Sequence, residues 1–466
     1  MVVYHNNVFF ERLQCSDFSA QIAMLMLKQS GIAKMNYLMR TTSPDTLEQV
    51  TQKFDEDVFR SATKILKISD EELKQNEEES NRIISQIRAP IVHGGWGLTS
   101  AVETAPMAYM SSVAALVANN STPSFQSRSA GNTTSSSLQS SLVKSVSQTE
   151  TSTKRVLPYT AVTFVSHFRS HKTQAISMQH NLRVLATNES FTAAQRSVTA
   201  DKIARARLHA ITAPHASDWK RTIPTSFQLE LTSHQYRSAS RFALGLNPIR
   251  SIALRSCLTC RDIPNNLVQA DPWHPLSCNS LKRGEITARH DSVVKIIARY
   301  TNFAGGIPIV EATRVTEESR TRPDLQILLP GQHYLSDVKV THPLCPSHVS
   351  RYWRKQLGSA NAGEVEKTKK YSALADQCKA EFIPFVVETH GGFSKKSEQL
   401  LNNIILASVE HQSLWSPEEI KTELYGSIAI AVQRGNTLIM DAGYHTTLRE
   451  AGRMECSIGG IIEAAG

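Results

Sequence analysis

The sequence predicts an α+β protein: an N-terminal helical region, a cysteine–histidine knot, and a small α/β core with a mixed sheet flanked by helices. Three observations carry that expectation. Residues 1–118 space their apolar side chains at a helical period. A run of three cysteines and a histidine, Cys257-x2-Cys260-x13-His274-x3-Cys278, follows in the middle of the chain. From residue 283, helix and strand signals alternate in the order α-β-β-β-α-β.

The first region, residues 1–118, opens with "SAQIAMLMLKQSGIAKMNYLMRT", whose apolar residues cover one broad helical face. "SPDTLEQVTQKF" offers Ser43 as a cap, Pro44 at the first helical position and acids in the first turn. In "VHGGWGLTSAVETAPMAYMSS" the glycines around Trp96 mark a tight turn before another helix. Residues 119–154 are dominated by Ser, Thr, Asn and Gln and read as a disordered linker, because so little apolar burial cannot offset the entropy of ordering.

Charge is unevenly spread. The chain of 466 residues, long enough for about three domains, carries 51 Lys plus Arg against 42 Asp plus Glu. Residues 151–250 alone hold 14 Lys/Arg against 4 Asp/Glu, so the surplus is local and points to a polyanionic partner. Residues 155–250 are therefore taken as a basic helical region, with Arg169, Lys172, Lys202, Arg205 and Arg207 as plausible nucleic-acid contacts. No run reaches the ~18 uninterrupted apolar residues of a spanning helix, so no membrane partner is expected. The start has no secretory leader, and with seven cysteines this favours a reducing compartment over a disulfide framework. It also reads as a piece of something longer.

Residues 251–282 contain the knot. Thiolates and imidazole suit tetrahedral zinc, and a two-residue gap lets one turn present two sulfurs to the same ion. Cys257, Cys260, His274 and Cys278 are assigned as four ligands of a structural Zn²⁺, with no open position for catalysis.

In residues 283–395, "EITARHDSVVKIIARY" puts Ile286, His290, Val293, Val294 and Ile297 on one helical face. "GIPIVEATRV", "DLQILL" and "YLSDVKVTH" read as strands, the last two joined at Pro330-Gly331 as a hairpin. A polar helix around "AGEVEKTKKYSALADQCKAE" and the strand "FIPFVVET" complete the order. Asp324 opens the second strand, while Asp337 and Lys339, two apart on the third, share a face. Two carboxylates at one end of a hairpin can hold catalytic Mg²⁺, and Lys339 can orient or deprotonate a water or neutralise developing charge. Glu311 on the first strand, and Glu285, His290 and Asp291 on the preceding helix, are further candidates for the metal shell. Residues 396–466 read as a C-terminal helical cap.

The pattern Pro323-Asp324-x12-Asp337-Val338-Lys339 in this element order resembles the PD-(D/E)xK restriction-like nuclease fold. With the Cys-Cys-His-Cys knuckle upstream, "RHD" at Arg289 to Asp291 and "KTKKY" at Lys367 to Tyr371, it is similar to the C-terminal part of non-LTR retrotransposon reverse transcriptases. Residues 1–118 resemble their thumb region more loosely. That resemblance implies a nuclear, metal-dependent endonuclease that nicks target DNA, leaving a 3′-hydroxyl from which element RNA is copied. It implies that Arg289 and His290 contact nucleic acid. Some members carry the catalytic lysine further downstream, which sets Lys367 or Lys370 against Lys339; the strand geometry favours Lys339. No Tyr/Phe-x-Asp-Asp polymerase motif occurs, so polymerisation is not expected of this chain. A catalytically inactive nucleic-acid-binding remnant, acting through the knuckle and the basic region, is the alternative.

Overall fold

The computed structural model describes residues 2–15, 18–74, 77–119, 133–160, 163–198, 201–247, 272–278, 284–311, 322–411 and 414–463. It divides into two compact units, Met1–Ser197 and Val198–Gly466. The basic region expected at 155–250 is thus shared between them.

The N-terminal unit is helical: α1 (Val2–Gln14), α2 (Ala20–Met26), α3 (Asn36–Thr41), α4 (Pro44–Leu66), α5 (Asp70–Lys74), α6 (Glu77–Arg88), α7 (Ala101–Ala118), α8 (Thr133–Thr153), α9 (Phe164–Ser170) and α10 (Lys172–Ser197). The single helix expected across residues 19–41 is interrupted by a π-turn at Leu27–Gly31 and a 3₁₀ turn at Ile32–Met35. Glycine is a weak helix former, and a Cβ on Gly31 would stand 3.1 Å from Leu27 Cδ1. Ser43 precedes Pro44 as the N-cap of α4 but makes no side-chain capping bond. The Trp96 turn uses Gly94 and Gly97 at φ 77° and 72°, and Ser100 then caps α7. The buried Asp55 carboxylate accepts the Ala101 N–H at 2.7 Å, tying α4 to that helix start. One described helix, α7, is long and apolar enough to cross a membrane, but 72% of it is buried within protein.

Residues 133–153 of the expected linker form α8, which packs Leu142 and Val146 against Met110, Val117, Phe164 and Phe168. Its polar residues do not prevent this. Ser145 Oγ donates to the Ser141 carbonyl at 2.7 Å and Thr153 Oγ1 to that of Thr149 at 2.8 Å, so these two hydroxyls are satisfied one turn back along the helix.

The C-terminal unit comprises α11 (Lys202–Ile211), α12 (Ser233–Leu244), α13 (Gly284–Phe303), β1 (Ile307–Val310), β2 (Leu325–Leu329), β3 (Gln332–Ser336), β4 (Val338–Thr341), α14 (Pro346–Tyr352), α15 (Gly358–Gln377), β5 (Glu381–Phe382), β6 (Phe385–Glu388), α16 (Lys395–His411) and α17 (Pro417–Glu463). β1, β2 and β3 are antiparallel in sequence, and β5 runs parallel to β3. β4 pairs in parallel with β6. The third predicted strand is therefore two strands, broken at Asp337. Pairing continues across the break, since Phe385 N–H donates to the Asp337 carbonyl at 3.1 Å. Pro330 and Gly331 (φ 71°) turn β2 into β3, the residue types that a type II turn requires.

Val293, Val294 and Ile297 of α13 meet Leu325, Ile327, Phe385 and Val387 of the sheet in one core. That core also takes Leu400, Leu401 and Ile404 from α16, and Leu424, Ile428 and Val432 from α17. The expected C-terminal cap is integral to it. On the other side, Gly363 lets α15 approach closely: a Cβ there would lie 3.0 Å from Val386 Cγ1 and 3.4 Å from Lys339 Cδ. This brings α15 over the strand break.

Candidate active site

The break at Asp337 is where charged side chains gather. Asp324 sits just before β2, and its Oδ2 accepts the Val338 N–H at 2.6 Å, pinning the start of β4. Asp337 is 3% exposed, and its carboxylate forms an ion pair with Lys367 of α15. Lys339, on β4, pairs with Glu366 of the same helix at 2.6 Å. That hydrogen bond holds the Glu366 carboxyl below the ordinary range. Asp337 and Lys339 thus both engage α15, although Asp337 lies at the break and only Lys339 on the strand.

Opposite lies α13. His290 Nε2 meets Asp324 Oδ2 at 3.0 Å, and its Nδ1 meets Asp291 at 3.0 Å. The Asp324 bond, with lesser help from Asp291, outweighs partial burial and raises His290 to about 9. The imidazole is consequently a cation at neutral pH. Because the folded value lies above the unfolded one of about 6.5, its stabilisation is fully present below about 6.5 and is lost as pH rises through about 9. The denaturation midpoints of wild type and His290→Gln are therefore expected to differ at about pH 6 and to converge by about pH 10. A difference independent of pH would exclude the ion pair.

Glu366, which was not expected at the site, and Tyr371, the aromatic end of "KTKKY", complete the arrangement. Glu366 is the partner of Lys339. Tyr371 donates to the Arg322 carbonyl at 2.9 Å, and burial with the nearby Asp337 carboxylate pushes its phenol up. A lysine-rich helix following a D-x-K strand was the available signal for Lys367, but helical phase alone does not say which of its lysines faces the carboxylates. Lys370 is exposed and donates to Tyr371 at 3.0 Å, so it lies beside the aspartates without touching them.

Other expected members stand apart. Glu311 is exposed, with φ at 47°; its backbone N–H donates to the Asp324 carbonyl at 2.9 Å, while among the described residues no hydrogen bond or ion pair takes its carboxylate to the site. Glu285 likewise has no bond to either aspartate among the described residues. Arg289 was expected on nucleic acid but is 3% exposed and donates to Asn436 Oδ1 at 2.7 Å. Arg207 is also removed from solvent, 4% exposed and bonded to the Ala243 carbonyl. Lys202 is exposed and Arg205 half-buried on α11. The side chains of Arg169 and Lys172 lie outside the described residues.

Among the described residues no group of three or more His, Cys, Asp or Glu is arranged to hold a metal ion. Two aspartates fit Mg²⁺ in kind, since Mg²⁺ takes one or two carboxylates and completes its shell with water and substrate phosphate. Both aspartates already attract positive charge, Lys367 to Asp337 and His290 to Asp324. For zinc, Cys257 and Cys260 lie outside the described residues. His274 and Cys278 bracket one 3₁₀ turn and are 8% and 3% exposed, a placement compatible with two ligands on one turn.

No protein-family model matches the chain, and no characterised protein matches it in sequence.

Proposed function

We propose that the C-terminal unit is a Mg²⁺-dependent DNA endonuclease of the restriction-like type, nicking target DNA to leave a 3′-hydroxyl that primes copying of element RNA. The observation that carries this reading is the pair of aspartates at a strand break, with two lysines and one histidinium drawn to the same place. Asp324 and Asp337 would hold Mg²⁺, which supplies polarisation of the scissile phosphate and acidification of a water. Lys339 is the candidate to orient that water or neutralise the phosphate, because its partner Glu366 is exposed and can yield to substrate. Lys367 is committed to Asp337 and fixes its orientation. His290 does the same for Asp324. Structural zinc at Cys257, Cys260, His274 and Cys278 would anchor the segment ahead of α13.

The purified chain is expected to convert supercoiled plasmid to the nicked circle with Mg²⁺ and not with EDTA. A second reading, an inactive nucleic-acid-binding remnant, draws on the side-chain cations already resting on both aspartates. Salt-dependent binding of DNA or RNA with no Mg²⁺-dependent nicking would establish that reading and reject the first.

A further inference from the structure

α11 and α14 pack together and present five cations: Lys202 and Arg205 on α11, Arg351 on α14, and Arg354 and Lys355 immediately beyond it. All are exposed except the half-buried Arg205, and none is paired with a carboxylate among the described residues. Near the strand break the pattern is the reverse, with Lys339 on Glu366 and Lys367 on Asp337. Arg205 and Arg354 both lie over the Trp353 ring, 5.2 Å and 4.3 Å from its centroid. Trp353 itself is packed against the cluster containing Ala206, Phe242 and Val349, so the ring is a fixed platform. Two guanidiniums gathered at one ring repel each other, and among the described residues no carboxylate pairs with either. Their flat donor edges match phosphate oxygens in geometry as well as charge.

This face adjoins the candidate active site. His348 of α14 has Nδ1 3.4 Å from Thr341 Oγ1 at the end of β4, the strand that carries Lys339 two residues earlier. The geometry points to the α11–α14 face as a track for the phosphate backbone of duplex nucleic acid, with Arg205 and Arg354 as its fixed contacts and Lys202, Arg351 and Lys355 adding charge. A duplex offers closely repeated phosphates along a line, which suits cations spread over two helices better than a single small anion does. The choice of duplex rests on the nuclease reading; the phosphate chemistry does not.

The test uses the full chain in EDTA, so that cleavage contributes nothing, and a short fluorescent duplex titrated at several salt concentrations. Arg205→Glu/Arg354→Glu is expected to bind on the order of tenfold more weakly, with the log–log salt slope shallower by about two. Arg354→Glu alone, at an exposed site, should lower the slope by about one and carries the test if the double variant misfolds. Arg354→Lys should keep the wild-type salt slope, because the charge remains, while losing part of the affinity carried by the flat guanidinium. Lys64→Glu, an exposed site in the N-terminal unit, controls for net charge. Affinity and slope in both glutamate variants no different from Lys64→Glu would overturn the proposal. So would loss of binding to phosphatidylserine vesicles with duplex binding intact. A wild-type chain that binds duplex in this way but never nicks would reject the nuclease reading and leave the track in place.

Discussion

Asp337→Asn is expected to lower Mg²⁺-dependent nicking by on the order of a thousandfold while leaving the affinity for DNA in EDTA within a few-fold of wild type. Asparagine keeps the shape of the side chain, so the strand break and its bond from Phe385 N–H should survive. What disappears is the charge: a neutral amide cannot hold a divalent ion as a carboxylate does, and it releases Lys367 from its ion pair. The same comparison separates the two lysines. If Lys339 acts on the reacting water or phosphate, Lys339→Ala should depress kcat with little change in the Mg²⁺ concentration needed for half-activity. Lys367→Ala should instead shift that Mg²⁺ requirement, because its partner is the metal-holding carboxylate. Nicking by Asp337→Asn within about tenfold of wild type would sink the active-site assignment, since a single missing oxyanion donor already costs about 10²–10³ in rate.

Much of this arrangement was legible in the sequence because strands impose a period of two and hairpins impose an end. Those two rules place Asp324 and the Asp337–Lys339 pair toward one end of the β2–β3 hairpin. The Pro330-Gly331 turn was readable on the same grounds, whereas the expected last strand "FIPFVVET" is divided between β5 and β6 in different sheets and α14 was not foreseen. The break at Asp337 was not readable, because nothing in "YLSDVKV" departs from strand propensity. It follows from a long-range bond, the Asp324 carboxylate receiving Val338 N–H from fourteen residues away. Lys367 and Glu366 reach back to the strand only because α15 lies over it, a packing decision made by Gly363 and Val386. α8 was hidden for a different reason. Composition counts hydroxyls as polar, whereas a helix lets them bond to their own backbone and enter a core. Arg289 shows an error that phase could have prevented. It stands four residues before Val293 and eight before Ile297, on the buried stripe of α13, and its partner Asn436 lies too far along the chain to be foreseen.

Asn436→Ala is accordingly expected to destabilise the C-terminal unit by about 3 kcal/mol, the larger of the two effects anticipated for stability. The Arg289 guanidinium is almost wholly withdrawn from water, and burial brings it down to about 10, still charged at neutral pH. Its Nη1 donates to Asn436 Oδ1, and Asn436 Nδ2 in turn donates to the Thr389 carbonyl at 2.6 Å, just beyond β6. Gly435 gives the guanidinium stem its room, since a Cβ there would fall 2.4 Å from Arg289 Cγ. Truncating the asparagine leaves a charged donor short of its partner in a dry site, while the Thr389 carbonyl keeps its bond from Gln433 Nε2 at 3.0 Å. Arg289→Met is expected to cost less, because it removes the buried charge along with the bond and keeps most of the packed stem. Chemical denaturation of the three proteins distinguishes this role from the nucleic-acid contact that "RHD" implied. Arg289→Met with unaltered duplex binding, together with a stability order of wild type, Arg289→Met, then Asn436→Ala, fits a structural arginine; a Met variant of normal stability that binds DNA an order of magnitude more weakly would return Arg289 to the interface.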